Sequence, residues 1–257
     1  MAMNHRDAPL LRIEHLSKAF DGIQALNDVS FSVGAGELVA LIGPNGAGKT
    51  TCFNIINGQL EPDAGSAWLA GERIDGLPPQ RVAMAGVGRT FQTAATFASM
   101  TALENVQLAL LAGSGEYMAL THRLGTARRS EADALLARVG AASLAGQVCA
   151  SLSYADVKRV ELAIALGQRK GAPRLLLMDE PTAGTAPRDR GSVMELVSTL
   201  VRDSGVTTLF TEHDVGVVFR FAARVIVLDR GRIIADGSPS SVRADPHVQA
   251  VYLGSEG

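Results

Sequence analysis

Cysteine is nearly absent from the 257-residue chain: Cys52 and Cys149 are the only two, far apart and outside any C-x-x-C spacing. That excludes a disulfide framework and a zinc ribbon, and it points to a reducing compartment. A surplus of positive charge is also missing. The 24 Lys and Arg stand against 26 Asp and Glu, giving a formal net charge of −2. Nucleic-acid-binding domains ordinarily carry a basic excess, so no nucleic-acid partner is expected. No apolar run reaches the roughly 18 residues that a membrane-spanning helix needs. The first ten residues include His5, Arg6 and Asp7 and lack the apolar stretch of a secretory signal. No internal repeat or low-complexity tract stands out. These absences predict a cytoplasmic chain that reaches a membrane only by docking on another protein.

The chain does have ample apolar material, 47% of its residues, enough for one large domain or a domain with a smaller lobe. Leu11 to Val33 alternates apolar and polar residues and reads as antiparallel strands. Glu37 to Ile42 is nearly all apolar, as expected of a strand buried on both faces. A glycine-rich loop follows, then a helix within Gly48 to Gly58, and Ser66 to Ile74 reads as one further strand. From Gln92 to Leu166 the pattern is helical. Thr101 and Glu104 have capping-box spacing, Gly113 to Ser130 reads as a loop, and Glu131 to Val139 and Val157 to Leu166 as helices. Strands return at Arg174 to Asp179 and Thr207 to Thr211. A hairpin then pairs Val225–Asp229 with Arg232–Asp236 around Arg230–Gly231. This order predicts an α/β core into which a helical lobe is inserted.

Two motifs carry chemistry. Gly43, Gly48, Lys49 and Thr50 complete G-x-x-x-x-G-K-[ST] within Gly43-Pro44-Asn45-Gly46-Ala47-Gly48-Lys49-Thr50-Thr51. Glycines let backbone N–H groups curl around phosphate oxygens while the following helix presents its positive end. Lys49 would reach the β- and γ-phosphates, and the Thr50 hydroxyl would ligate Mg²⁺. A chance match in a glycine-rich turn is the alternative, but here a buried strand precedes the loop and a helix follows it. Downstream, Leu175-Leu176-Leu177-Met178 runs into Asp179, Glu180 and Pro181. Asp179 at the carboxyl end of such a strand can hold the Mg²⁺ shell, and Glu180 can polarise an attacking water. A strand ending in a solvated acidic turn is the plainer reading, and the phosphate loop weighs against it.

With these motifs the chain resembles the ATP-binding subunits of ABC transporters over essentially its whole length. The resemblance implies an α/β fold in a single domain over 10–257. A P-loop NTPase core (10–91 and 167–240) with an antiparallel β subdomain would carry a helical subdomain at about 92–166 and a tail at 241–257. It implies ATP hydrolysis with Mg²⁺. Gln92, after Arg89, Thr90 and Phe91, matches the glutamine that contacts Mg²⁺ and the lytic water and reports the permease's position. His213, in Thr211-Glu212-His213-Asp214, matches the histidine that hydrogen-bonds the γ-phosphate. Phe20 is the candidate for stacking on adenine, with plain core packing as the other reading. Leu152 to Asp156 stand where the signature loop LSGGQ or LSYGQ belongs. There the Ser153 hydroxyl, the backbone at Ala155 and the helix dipole would face the γ-phosphate of the opposite subunit in a head-to-tail dimer.

The chain departs from the family at several positions. Ala155 replaces the signature's glycine, Val157 a frequent glutamine, and Ala186 the polar residue that couples the two sites. These changes leave this chain's phosphate loop intact and weaken what it donates to a partner, which suggests a heterodimer. Tyr154, Arg159 with Glu161, and the tail from Asp245 to Gly254 resemble the branch that imports branched-chain and other hydrophobic amino acids. Urea importers and the lipopolysaccharide-export ATPase share much of this pattern. The implied partners are transmembrane permease subunits, a second ATP-binding subunit and, indirectly, a solute-binding protein. The implied location is the inner face of the cell membrane. A non-hydrolysing subunit and a soluble member acting on DNA or ribosomes are the rival readings.

Overall fold

The computed structural model describes residues 8–90, 96–114, 128–168 and 173–253. Alternation at the start of the chain yields a hairpin of β1 (Leu11–Phe20) and β2 (Ile23–Val33), with Leu11, Ile13 and Leu16 buried. All five residues of β3 (Leu38–Ile42) are buried, and the glycine-rich loop leads from it into α1 (Lys49–Ile56). The single strand expected over Ser66 to Ile74 is instead a hairpin, β4 (Ala64–Leu69) and β5 (Glu72–Arg73). The chain reverses at Ala70 and Gly71, both at positive φ, the geometry a two-residue turn requires. Together these strands form an antiparallel sheet in the order β2-β1-β4-β5.

Helix α2 (Pro79–Ala85) and strand β6 (Val87–Thr90) were not anticipated from the sequence, although Pro79 in the first helical turn and Gly86 just past the end bound the helix in the usual way. Helix α3 (Ala102–Ser114) opens with the expected capping box. The Thr101 N–H donates to Glu104 Oε2 at 2.8 Å, and the Glu104 N–H donates to Thr101 Oγ1 at 3.2 Å. Helix α4 (Arg129–Arg138) and helix α5 (Tyr154–Gly167) pack on α3 and on each other. Helix α5 begins three residues before the expected Val157, because the Ser153 hydroxyl accepts from the Asp156 N–H and starts it there. Of the loop expected over Gly113 to Ser130, α3 and α4 take the ends, and 115–127 lie outside the described residues.

Strand β7 (Leu175–Asp179), helix α6 (Pro187–Ser204), strand β8 (Thr207–Thr211), helix α7 (Val215–Phe221), the hairpin β9 (Arg224–Asp229) and β10 (Arg232–Gly237), and helix α8 (Pro239–Ala244) complete the core. The sequence reading omitted α6 and α7, yet α6 shows Val193, Met194, Val197 and Leu200 at helical spacing, all buried. The second sheet runs β10-β9-β3-β8-β7-β6, parallel throughout except for β9 with β10. Successive residues of β3 enter different cores. Leu38, Ala40 and Ile42 pack with the helices of one face; Val39 and Leu41 pack with α1 and the antiparallel sheet. Burial on both faces is why that strand reads as a continuous apolar run. Both cysteines are free and buried, and burial pushes the Cys52 thiol up to about 12. Among the described residues no helix is long and apolar enough to cross a membrane.

Candidate functional site

The parallel strands β3, β7 and β8 end on the same edge of the sheet, where an open α/β sheet binds its ligands. The loop after β3 is wedged between neighbours. A Cβ on Gly43 would collide with the Leu228 carbonyl of β9, and one on Gly48 with the Ala25 carbonyl of β2. Both glycines have positive φ, so only residues without a side chain fit this path. The β9–β10 turn braces the loop from outside: the Gly231 N–H donates to the Ala47 carbonyl at 3.0 Å, and the Asn27 N–H to the Gly231 carbonyl at 2.8 Å. Lys49, at the start of α1, is buried, and its ammonium donates to the carbonyls of Gly43 (2.6 Å) and Pro44 (3.1 Å). Burial pulls its pKa below the ordinary lysine value, and the charges of Glu180 and Asp179 offset part of this.

Across the site, Asp179 ends β7 with both oxygens engaged. Oδ1 accepts from the Thr211 hydroxyl at 2.7 Å and Oδ2 from Arg89 Nη2 at 3.3 Å. The Arg89 guanidinium also donates to Asn54 Oδ1 at 2.8 Å, tying β7 to the helix that follows the phosphate loop. Burial lowers the Arg89 pKa, opposed by the charge of Asp179. Glu180 sits at φ 49°, in the left-handed region that residues with a Cβ avoid. Its N–H donates to the Thr211 carbonyl and to the Thr211 hydroxyl, both at 3.1 Å. Its Oε1 lies 2.8 Å from His213 Nε2.

One cavity of about 280 Å³ is lined by Phe20, Ala25, residues 45–51, Asp179, Glu180 and His213. Motifs up to 193 residues apart, from Phe20 to His213, therefore face a single space. Gly43 and Pro44 form the base of the loop behind that lining. Phe20 is 45% exposed, which removes core packing as its explanation. Ser153 and Ala155 lie apart from this cavity, at the start of α5, where the Ser153 hydroxyl donates to Asp156 Oδ2 at 2.7 Å. Gln92 lies outside the described residues. The sequence reading gave no site role to Arg89, Thr211 or Glu212. The available signal was polar side chains inside or just beyond otherwise apolar strands.

Loop geometry fits a phosphate group, since the glycine-dependent backbone path and the Lys49 side chain line one cavity. The donor set fits Mg²⁺: a hydroxyl at Thr50 and one carboxylate at Asp179, with the remaining positions left to phosphate and water. Among the described residues no cluster of three or more His, Cys, Asp or Glu is present. A glycine cradle facing an acidic strand end defines the P-loop nucleoside triphosphatases.

The family model described as "ABC transporter" matches residues 26–183, and that of "Branched-chain amino acid ATP-binding cassette transporter" matches 232–257. The chain is 36% identical over 253 residues to the high-affinity branched-chain amino acid transport ATP-binding protein BraF of Pseudomonas aeruginosa, covering 96% of this chain and 98% of that one. It is 34% identical over 247 residues to the lipopolysaccharide export system ATP-binding protein LptB of Haemophilus influenzae, with the same coverage. The ADP conformation of MJ1267, an ATP-binding cassette of an ABC transporter, superposes with a TM-score of 0.83 at 31% identity, over 96% of this chain and 99% of that one. The chain belongs to the ABC transporter ATP-binding family. It is an ATPase subunit of a transporter.

Proposed function

We propose that this chain powers a separate membrane permease that imports branched-chain or other hydrophobic amino acids. The observation that carries the ATPase half is the single cavity onto which the phosphate loop, Asp179, Glu180 and His213 all face. The amino-acid half is supported by the match at 232–257 and by the likeness to BraF. The C-terminal match favours this reading over lipopolysaccharide export, despite the likeness to LptB.

In this reading Phe20 stacks on the adenine, while the backbone N–H groups of 43–51 and the Lys49 ammonium hold the phosphates. Lys49 exchanges its present carbonyl acceptors for phosphate oxygens. Thr50 and Asp179, with Gln92 as a further ligand, would hold Mg²⁺, which when bound would neutralise phosphate charge. Glu180 accepts a proton from the attacking water, and the His213 N–H that meets Glu180 here turns to the γ-phosphate once nucleotide is bound. The start of α5, with Ser153 and Ala155, serves the site of a second ATP-binding subunit.

An apolar groove of about 350 Å³ runs between α2, α3 and α5, lined by Met84, Phe97, Leu108 and Ile164 among others. Met84 and Phe97 are 62% and 57% exposed. This exposed apolar surface suits a short cytoplasmic helix of the permease. The sequence alone suggests a permease groove beside Gln92, running through Ala94, Phe97 and Met100 to Glu104. Of these, Phe97 lines the observed groove, and Ala94 lies outside the described residues. Met100 and Glu104 are engaged in the turn that starts α3. The function is tested by assembling the chain with its companion subunits in vesicles and measuring leucine, isoleucine and valine uptake. ATP-dependent uptake supports the reading. ATP turnover without amino-acid uptake rejects the substrate assignment alone.

A further inference from the structure

Glu212 has no role in the reading above, yet it is only 3% exposed beside the site. Among the described residues no lysine or arginine forms an ion pair with it. Its carboxylate instead accepts from two backbone N–H groups: Thr182 to Oε1 at 2.7 Å and His213 to Oε2 at 3.2 Å. Thr182 lies two residues beyond Glu180, and His213 is the residue whose ring meets Glu180. One buried carboxylate therefore clamps the loop carrying Glu180 to the loop carrying its partner. Burying a charge is costly unless hydrogen bonds compensate it, and here they bind two loops of the site.

The backbone at Glu180 needs such restraint. Its left-handed conformation is one that a residue with a Cβ leaves unless its surroundings hold it. Thr211 grips the N–H on one side. The Ala183 N–H returns to the Glu180 carbonyl at 3.0 Å, closing a turn that includes Thr182, and Glu212 anchors that turn to the β8 end. We propose that Glu212 is a positioning residue for ATP hydrolysis, holding Glu180 in its left-handed conformation and setting its approach to His213. The inference rests on the proposed role of Glu180.

Glu212→Gln is nearly isosteric, but a neutral amide oxygen accepts more weakly from the Thr182 N–H than a carboxylate does, and the amide nitrogen cannot accept from the His213 N–H, so the tie between the loops is weakened. In the complex with its companion subunits, kcat should fall about 10- to 100-fold. The KM for ATP and the affinity for a fluorescent ATP analogue should stay within about two-fold. In a Glu180→Gln background the second change should add nothing, because Glu212 acts only through Glu180. An unchanged kcat, losses that multiply in full, or a parallel fall in nucleotide affinity and melting temperature would overturn the proposal. If the glutamine variant does not fold, Glu212→Asp keeps the charge but shortens the reach. It should again lower kcat with KM kept, and a normal kcat overturns the proposal. A wild-type complex that turns over no ATP overturns the functional reading as well. An active wild type indifferent to Glu212 overturns this inference alone.

Discussion

The ring nitrogen Nε2 of His213 lies 2.8 Å from Oε1 of Glu180, although 33 positions of chain separate the two residues. A carboxylate can only accept, so the ring nitrogen carries the proton and donates it. The contact fixes one oxygen of Glu180. It forms because β7 and β8 are parallel neighbours that end together, with Asp179 opposite Thr211.

Lys49 and Glu180 should fail in different ways. Lys49→Ala removes a charge-assisted hydrogen bond to phosphate in the bound ground state, so ATP affinity should fall about 10- to 150-fold. Glu180→Gln leaves binding intact and should lower kcat at least about 100-fold, since the base matters only once water attacks. Titration with a fluorescent nucleotide, together with steady-state turnover, separates the two. Normal turnover by Glu180→Gln in the assembled complex would reject its assignment.

The signature region predicts two unequal ATP sites in a heterodimer. Ala155 places a Cβ where close backbone approach is needed, and Ser153 already spends its hydroxyl on Asp156 at 2.7 Å. Losing one hydrogen bond to a phosphate lowers the rate at that site about 10- to 150-fold. With the companion ATP-binding subunit present, Glu180→Gln should remove most activity and the companion's equivalent change should remove little. Ala155→Gly should raise the weaker site. Equal losses from the two changes, with no response to Ala155→Gly, would show that the alanine is harmless.

The groove should trap the permease. Single cysteines at Met84 and Phe97, paired with cysteines along a cytoplasmic helix of the permease, should crosslink with a yield that changes when ATP is added. Both side chains are exposed and carry no part of the nucleotide cavity, so the substitutions should leave ATP binding as it is. No crosslink across several pairs in a transporting complex would place the contact elsewhere.

Acid should selectively weaken the start of α3. Hydrogen bonds from Thr101, its backbone N–H first and then its hydroxyl, hold the Glu104 carboxyl below its ordinary 4.5. A carboxylate with a lower pKa in the folded chain stabilises it fully above the unfolded value, and that contribution disappears as pH falls through the folded value. Glu104→Ala should therefore cost about 1 kcal/mol at neutral pH. The difference from wild type should narrow as the pH drops below about 4. Urea unfolding of both proteins across this range is the measurement, and a constant gap would show that the cap is not what the glutamate contributes.

Several features were legible because they depend on neighbours in sequence. The spacing from Gly43 to Thr51 sets a local backbone path, the Thr101–Glu104 box closes within one helical turn, and the apolar run into Asp179 marks a strand buried on both faces. Helix α6 was legible too, in the spacing of Val193, Met194, Val197 and Leu200, and the sequence reading passed over it. The rest required the fold. Arg89 meets Asp179 from 90 positions away, and the Arg230–Gly231 turn braces the phosphate loop only because β9 lies beside β3. No local pattern encodes that β8 inserts between β3 and β7. Strand order is decided by which apolar faces can be buried together, a property of the whole chain. That order put Thr211, Glu212 and His213 against Asp179, Glu180 and Thr182, so the sequence supplied the reacting groups and the packed sheet supplied their distances.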